Sequence, residues 1–232
     1  MLKRALLASL VLAAPAAADD GPLRLIINLP SYQLEVWDGD EKIRSYTATI
    51  GAPDFPTPTG GFQITRIEWN PSWTPPPSPW ARGEKKAPPG PNNPMGRVKM
   101  QFDDYLYVHG TSKEGELGGA HSHGCIRLSN ADALDLARLI ATRTGALTDG
   151  EIAALEASPR RTRSVRLPSP VPIRIRYGLN EEVSGELVDF EDPYGWRESA
   201  RPVSAGAALA TSALRSGAGG GRPRPSPAEA RA

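Results

Sequence analysis

Ser122-His123-Gly124-Cys125-Ile126-Arg127-Leu128 contains the only cysteine of a 232-residue chain, and His121 and His123, two of its three histidines, stand within four residues of that thiol. The third, His109, closes the run Tyr105-Leu106-Tyr107-Val108-His109, sixteen residues upstream of the cysteine. An ordinary cysteine, with a pKa near 8.5, is only a few per cent thiolate at neutral pH, and the thiolate is the nucleophile. A histidine within hydrogen-bond reach can take the thiol proton and later return it to a leaving group. Spatial rather than sequential adjacency is usual for such pairs. His109, at the end of a run that reads as a strand, is therefore the expected base. His123 is expected to shape the turn that Gly124 introduces. Without a Cβ, Gly124 lets the backbone approach a substrate and aim an N–H at a developing negative charge. Arg127 cannot lose its proton, and its planar fork suits a substrate carboxylate.

Compartment decides what a lone cysteine means. Met1-Leu2-Lys3-Arg4, an apolar run over residues 5–14 and Ala16-Ala17-Ala18 read as a secretory signal peptide over 1–18. The apolar run is shorter than the roughly 20 residues that span a bilayer, so no transmembrane anchor is expected. In an oxidising compartment structural cysteines come in pairs, and a single one is a reactive thiol or an intermolecular link. With 27 basic and 26 acidic residues the net charge is +1, which argues against nucleic acid as a partner.

The rest of the chain reads as one domain over 19–200, with its core at about 23–195, and a disordered tail over 201–232 rich in Gly, Ala, Ser, Pro and Arg. Alternating apolar residues predict strands over 23–29, 32–37, 43–50, 62–67 and 105–108, with Asp38-Gly39-Asp40 as a hairpin turn. Later strands are expected at 165–167, 171–177 and 186–190. A helix is predicted over 129–145, capped by Ser129 and stopped by Gly145, and a shorter one over 149–157. The fold class is mainly β with minor α. Nine prolines over residues 71–94 make that segment an extended loop, because proline cannot continue a ladder. Its Trp73 and Trp80 suit one wall of a substrate cleft. Arg160, Arg161, Arg163 and Arg166, between Pro159 and Pro168, read as a solvated connector.

A metal site is the competing chemistry. His121, His123 and Cys125 alternate, so a straight strand would place them on one face, and His109 could complete a zinc ligand set. Ser122 and Gly124 weaken that strand, and no nearby acid orients the imidazoles.

Ser122-His123-Gly124-Cys125-Ile126-Arg127-Leu128, preceded by His109-Gly110-Thr111 at this distance, resembles the signature of the L,D-transpeptidases, whose catalytic module is the YkuD domain. Thr57-Pro58-Thr59-Gly60-Gly61-Phe62, Asn70-Pro71-Ser72-Trp73, Pro89-Gly90-Pro91-Asn92-Asn93-Pro94-Met95-Gly96 and Ser129-Asn130-Ala131-Asp132-Ala133 extend the likeness over about residues 23–195. The resemblance implies a β-sandwich with a flanking helix after the catalytic motif, and a periplasmic enzyme without a cofactor. That enzyme attacks the bond after meso-diaminopimelate in a peptidoglycan tetrapeptide stem, releases D-alanine and holds the acyl group as a thioester. An amine of a second stem, or of an envelope protein, then resolves it, and carbapenem-type inhibitors acylate the same thiol. By matching position Cys125 is the nucleophile, His109 the base and the Gly110 carbonyl the group that holds the imidazole. Gly124 and Cys125 lend oxyanion N–H groups, while Ser122, His123 and Arg127 support the loop and bind the donor stem, with Trp73 beside them. No role carries onto His121. An L,D-carboxypeptidase with water as acceptor, a non-catalytic wall-binding protein and the zinc site are the alternatives.

Overall fold

Residues 23–196 are described by a computed structural model. The expected signal peptide at 1–18 and tail at 201–232 lie outside the described residues. The strands are β1 (Arg24–Asn28), β2 (Gln33–Asp38), β3 (Glu41–Thr47), β4 (Ile50–Gly51), β5 (Gly60–Trp69), β6 (Val98–Asp103), β7 (Leu106–Thr111), β8 (Ala120–Ser122) and β9 (Ile126–Ser129). Helices α1 (Asn130–Arg143) and α2 (Asp149–Glu156) follow, and then β10 (Arg163–Arg176), β11 (Asn180–Val183) and β12 (Glu186–Asp189).

Eight strands form one mixed sheet in the order β3-β2-β1-β10-β5-β6-β7-β9. The sheet wraps until its two edges meet, with Thr49 just past β3 exchanging backbone hydrogen bonds of 2.8 and 2.9 Å with Arg127 on β9. Edge pairing of this kind leaves fewer unpaired backbone groups in solvent. Alternation sorts the side chains: Leu25, Ile27, Leu34, Val36, Val98, Met100, Val108, Ile126 and Leu128 are all fully buried. Helix α1 presents Ala133, Leu136, Ala137 and Ile140 to this core and packs on β6, β7 and β9. Its start is set by Ser129, whose Oγ accepts the Asp132 N–H at 3.0 Å. Helix α2 begins with a full capping box between Thr148 and Glu151.

The mainly β reading with two helices is what the chain forms, and three local readings change. The strand over 43–50 breaks at Ala48–Thr49, because Thr49 leaves β3 to pair with Arg127. Strand β6, with its strict buried and half-buried alternation, stood in the sequence as Val98-Lys99-Met100-Gln101-Phe102-Asp103 and was masked by the proline-rich run before it. The arginine-rich connector is in part strand. Arg163 and Arg166 pair with Trp69 and Arg66 of β5, and the ladder shifts register between Arg166 and Val171, where Pro168 and Pro170 fall.

The proline-rich segment is a fixed arm between β5 and β6. Trp73 and Ala87 exchange two backbone hydrogen bonds of 2.8 and 3.0 Å that close its base. Buried Asn93 donates to the carbonyls of Pro71 (2.8 Å), Pro88 (3.0 Å) and Ala87 (3.3 Å) and accepts the Met95 N–H (2.9 Å). Buried amide groups that are this fully satisfied rigidify the backbone they tie.

Candidate active site

The motif loop connects β8 to β9 and is held from three sides. Gly124 has φ of +96°, a region that glycine enters without a steric cost. A Cβ there would meet Leu106 Cδ2 at 3.2 Å. The Ser122 hydroxyl donates to the Cys125 carbonyl at 2.5 Å and accepts the Gly124 N–H at 3.1 Å, so it closes the loop on itself. Fully buried Thr57 accepts the Gly51 N–H at 2.9 Å and donates to the Gly124 carbonyl at 3.1 Å. These bonds explain why a Thr-Pro-Thr-Gly turn 68 residues from the cysteine belongs to the same site.

Strand register sets His109 beside the strand that follows the motif cysteine. Strands β7 and β9 are parallel, with His109 opposite Arg127, and Cys125 stands two residues before Arg127. Period-two alternation puts His109 and Arg127 on one face, with Val108, Ile126 and Leu128 on the other, and the half-buried Cys125, directly before β9, is near enough to act on Tyr107, two residues before His109 on that same face. The Cys125 Sγ lies 3.8 Å from the carbonyl of Tyr105. Tyr105 is a non-glycine residue at φ of +58° with 59% of its surface exposed. Backbone held in that sparsely populated region is a feature of functional sites. Burial raises the Tyr107 phenol above its ordinary range, and the nearby charge of Cys125 adds to the effect.

His109 is 3% exposed, and its Nδ1 lies 2.8 Å from the Gly110 carbonyl. A carbonyl only accepts, so Nδ1 carries the proton and Nε2 keeps its lone pair. Burial lowers the imidazole pKa from near 6.5 to about 4, the Gly110 hydrogen bond opposing and the Arg127 and Lys99 charges assisting. The resting imidazole is therefore neutral and basic at Nε2. A thiolate formed beside it would raise its pKa and favour the protonated ring.

That shift links stability to pH. Between about 4 and 6.5 the unfolded chain binds the proton that folded His109 refuses, so stability is complete above 6.5 and is lost as pH falls toward 4. The loss expected from this one group is roughly 3 kcal/mol. Urea unfolding at pH 7 and pH 4 should show it, and His109→Gln should flatten the slope. Equal slopes in the two proteins would contradict a buried neutral His109.

The other residues named from the sequence are distributed as follows. His123 stacks on Trp80 of the arm with ring centroids 3.9 Å apart and planes 8° apart, and Phe55 lies 4.7 Å away on a tilted plane. Its pKa is lowered by partial burial and by Arg127 and Lys113. The tryptophan ring set against the motif is thus that of Trp80, while Trp73 closes the base of the arm through its backbone. The carboxylate that Arg127 holds belongs to the chain itself, Glu116 Oε2 at 2.7 Å. The Gly124 N–H, expected to serve an oxyanion, is already donated to Ser122 Oγ, because the turn folds the hydroxyl back onto it. The straight His121–His123–Cys125 face that the competing zinc reading requires does not form. Strand β8 ends at Ser122 and β9 starts at Ile126, and the left-handed Gly124 breaks the alternation between them. Among the described residues no three His, Cys, Asp or Glu side chains are grouped to hold a metal ion. The sequence left Phe55 and Glu116 unmarked, and Thr57 and Asn130 stood there only within family-like stretches, with no role. Each reaches the site through a contact with no periodic signal.

Comparison with known proteins agrees with this architecture. The family model for the L,D-transpeptidase catalytic domain, YkuD, matches residues 22–164. An L,D-transpeptidase relative from the ATP synthase subunits region of Fuscovulum blasticum is 34% identical over 125 residues, 51% of this chain and 65% of its own length. A YkuD relative from Bacillus licheniformis is 27% identical over 127 residues, 54% of this chain and 65% of its own length. The chain thus spans just under two thirds of these relatives. Among solved structures, an L,D-transpeptidase from Mycobacterium smegmatis aligns with a TM-score of 0.46 at 20% identity, over 66% of this chain and 58% of that one. The match over more than half of its length, carrying the cysteine loop, the His109 strand and the Thr57 turn, places the chain in the L,D-transpeptidase catalytic-domain family, YkuD.

Proposed function

We propose that the chain is a peptidoglycan L,D-transpeptidase that works through a thioester on Cys125. The observation that carries this reading is the His109 imidazole, neutral and buried, with Nδ1 held by Gly110, beside the strand that follows Cys125. His109 Nε2 takes the Sγ proton, and the sulfur attacks the carbonyl carbon of the meso-diaminopimelate–D-alanine bond. The tetrahedral oxyanion collapses, the C–N bond breaks, and the D-alanine nitrogen leaves with the proton from Nε2–H. An acceptor amine then adds to the thioester carbonyl and gives up a proton to Nε2. The new amide forms, and the sulfur leaves and recovers the proton.

With the Gly124 N–H engaged by Ser122, the backbone N–H of Cys125 is the oxyanion donor assigned in this scheme. Donors of this kind contribute roughly 3 kcal/mol to such steps. Trp80 stacks on His123, two residues before the thiol, and so offers a flat aromatic surface next to the motif loop. Carbapenems would acylate the same sulfur. The signal peptide read at 1–18 supports a periplasmic reaction, in a compartment where a single cysteine is suited to chemistry rather than to a structural disulfide. No helix among the described residues is long and apolar enough to cross a membrane.

Mass spectrometry of products from defined tetrapeptide muropeptides, with and without an added amine, tests the reading. Transpeptidation predicts D-alanine release and a cross-linked or amine-capped product whose yield rises with amine. Trimmed tripeptide as the sole product at every amine concentration would show water to be the acceptor and overturn transfer.

A further inference from the structure

Asn130 is the first residue of α1 and follows directly on the end of β9. Its side chain bridges two segments. Oδ1 accepts the Arg97 N–H at 2.8 Å, and Nδ2 donates to the Thr111 carbonyl at 3.0 Å. The first contact ties the end of the proline-rich arm and the second ties the end of β7, so both meet beside the Gly110 peptide.

The space around Gly110 is filled by the same groups. A Cβ on Gly110 would stand 2.4 Å from Asn130 Oδ1. A Cβ on Gly96, at φ of +63°, would stand 2.3 Å from Asn130 Oδ1 and 2.5 and 2.6 Å from the carbon and oxygen of the Gly110 carbonyl. Gly96 therefore backs directly onto the carbonyl that accepts from His109 Nδ1. Glycine has the least intrinsic preference for one peptide orientation, so the plane of the Gly110 carbonyl must be fixed from outside. The Gly96 backbone presses from one side, and Asn130 holds the next carbonyl along the chain.

We propose that Asn130 is a positioning residue for His109, acting through the Gly110 carbonyl. It keeps that carbonyl aimed at Nδ1, which keeps the proton on Nδ1 and leaves Nε2 able to accept. If the carbonyl swings away, the ring has no reason to prefer this tautomer, and the Nε2–H form cannot take the thiol proton. The inference rests on His109 as base but not on any substrate.

The test uses substrate-free protein. Long-range proton–nitrogen NMR of labelled protein near pH 7 reads the tautomer of His109 directly. Two variants are compared with the wild type. Asn130→Ala removes both bonds, while Asn130→Asp keeps the side-chain volume and the acceptor for Arg97 but cannot donate to Thr111. In both, the Nδ1–H pattern of His109 is expected to give way to a mixture with the Nε2–H form. A loss of kcat on the order of 100-fold with KM within about twofold should accompany it, the scale of a reacting group misplaced by about 1 Å. Either variant folded and retaining the wild-type imidazole pattern would overturn the proposal. Failure of the transpeptidase reading is separate, because it shows as an absence of D-alanine release from the wild type.

Discussion

Cys125→Ala is expected to abolish D-alanine release and thioester formation, with a rate loss on the order of 10⁴- to 10⁶-fold, the range seen when an enzyme loses its nucleophile. The substitution should leave the fold intact. The side chain is half-buried at the edge of the core, and its sulfur makes a long contact to the Tyr105 carbonyl, so removing it opens little cavity. The loop keeps its shape through Ser122, Thr57 and the positive φ of Gly124, none of which involves the thiol. A folded variant that released D-alanine at the wild-type rate would mean that another group attacks the substrate.

The second large effect is at the base. His109→Ala should slow transfer by 10²- to 10⁴-fold, the usual range for general acid–base catalysis. The same change at exposed His121 should leave the rate within about twofold. Because His109 is buried and hydrogen-bonded, alanine also leaves a cavity and an unmatched Gly110 carbonyl. His109→Asn separates the two effects, since its amide can still donate to that carbonyl while offering no titratable nitrogen. Rate losses of similar size in His109→Ala and His109→Asn would assign the loss to proton transfer. A larger loss in His121→Ala than in His109→Ala would identify a different base.

The candidate nucleophile and base stand out in the sequence because their signals are local. A single cysteine, a glycine beside it and a histidine ending an apolar run are properties of short segments. The first helix was legible for the same reason, through Ser129 and Gly145, and the second was read over 149–157, where the structure adds the capping box at Thr148. What the sequence withheld depends on pairing between distant segments. Trp80 lies 43 residues from His123, and the choice between Trp80 and Trp73 as the cleft ring depends on how the arm folds back, which the Trp73–Ala87 bridge decides. Arg127 read as a partner for a substrate carboxylate, and the β7–β8 connection sets Glu116 beside it instead. Gly124 read as an oxyanion donor because a residue without a Cβ lets its N–H approach a substrate, and here the hydroxyl of Ser122 takes that N–H.

Ser122, Thr57 and Asn130 are polar side chains whose bonds go to backbone, and each holds a peptide group in or beside the motif loop and the His109 strand. A substitution at any of them leaves a partly buried backbone group unsatisfied, at roughly 1–3 kcal/mol. The rate would then fall with the loss of geometry.

The most direct measurement of the central claim is intact-protein mass spectrometry of the wild type mixed with a tetrapeptide stem in the absence of an amine acceptor. The account predicts a mass increase equal to the stem minus D-alanine, located by peptide mapping on Cys125 and matched by one equivalent of D-alanine. D-alanine release with no adduct, or an adduct mapped to any residue other than Cys125, would contradict it.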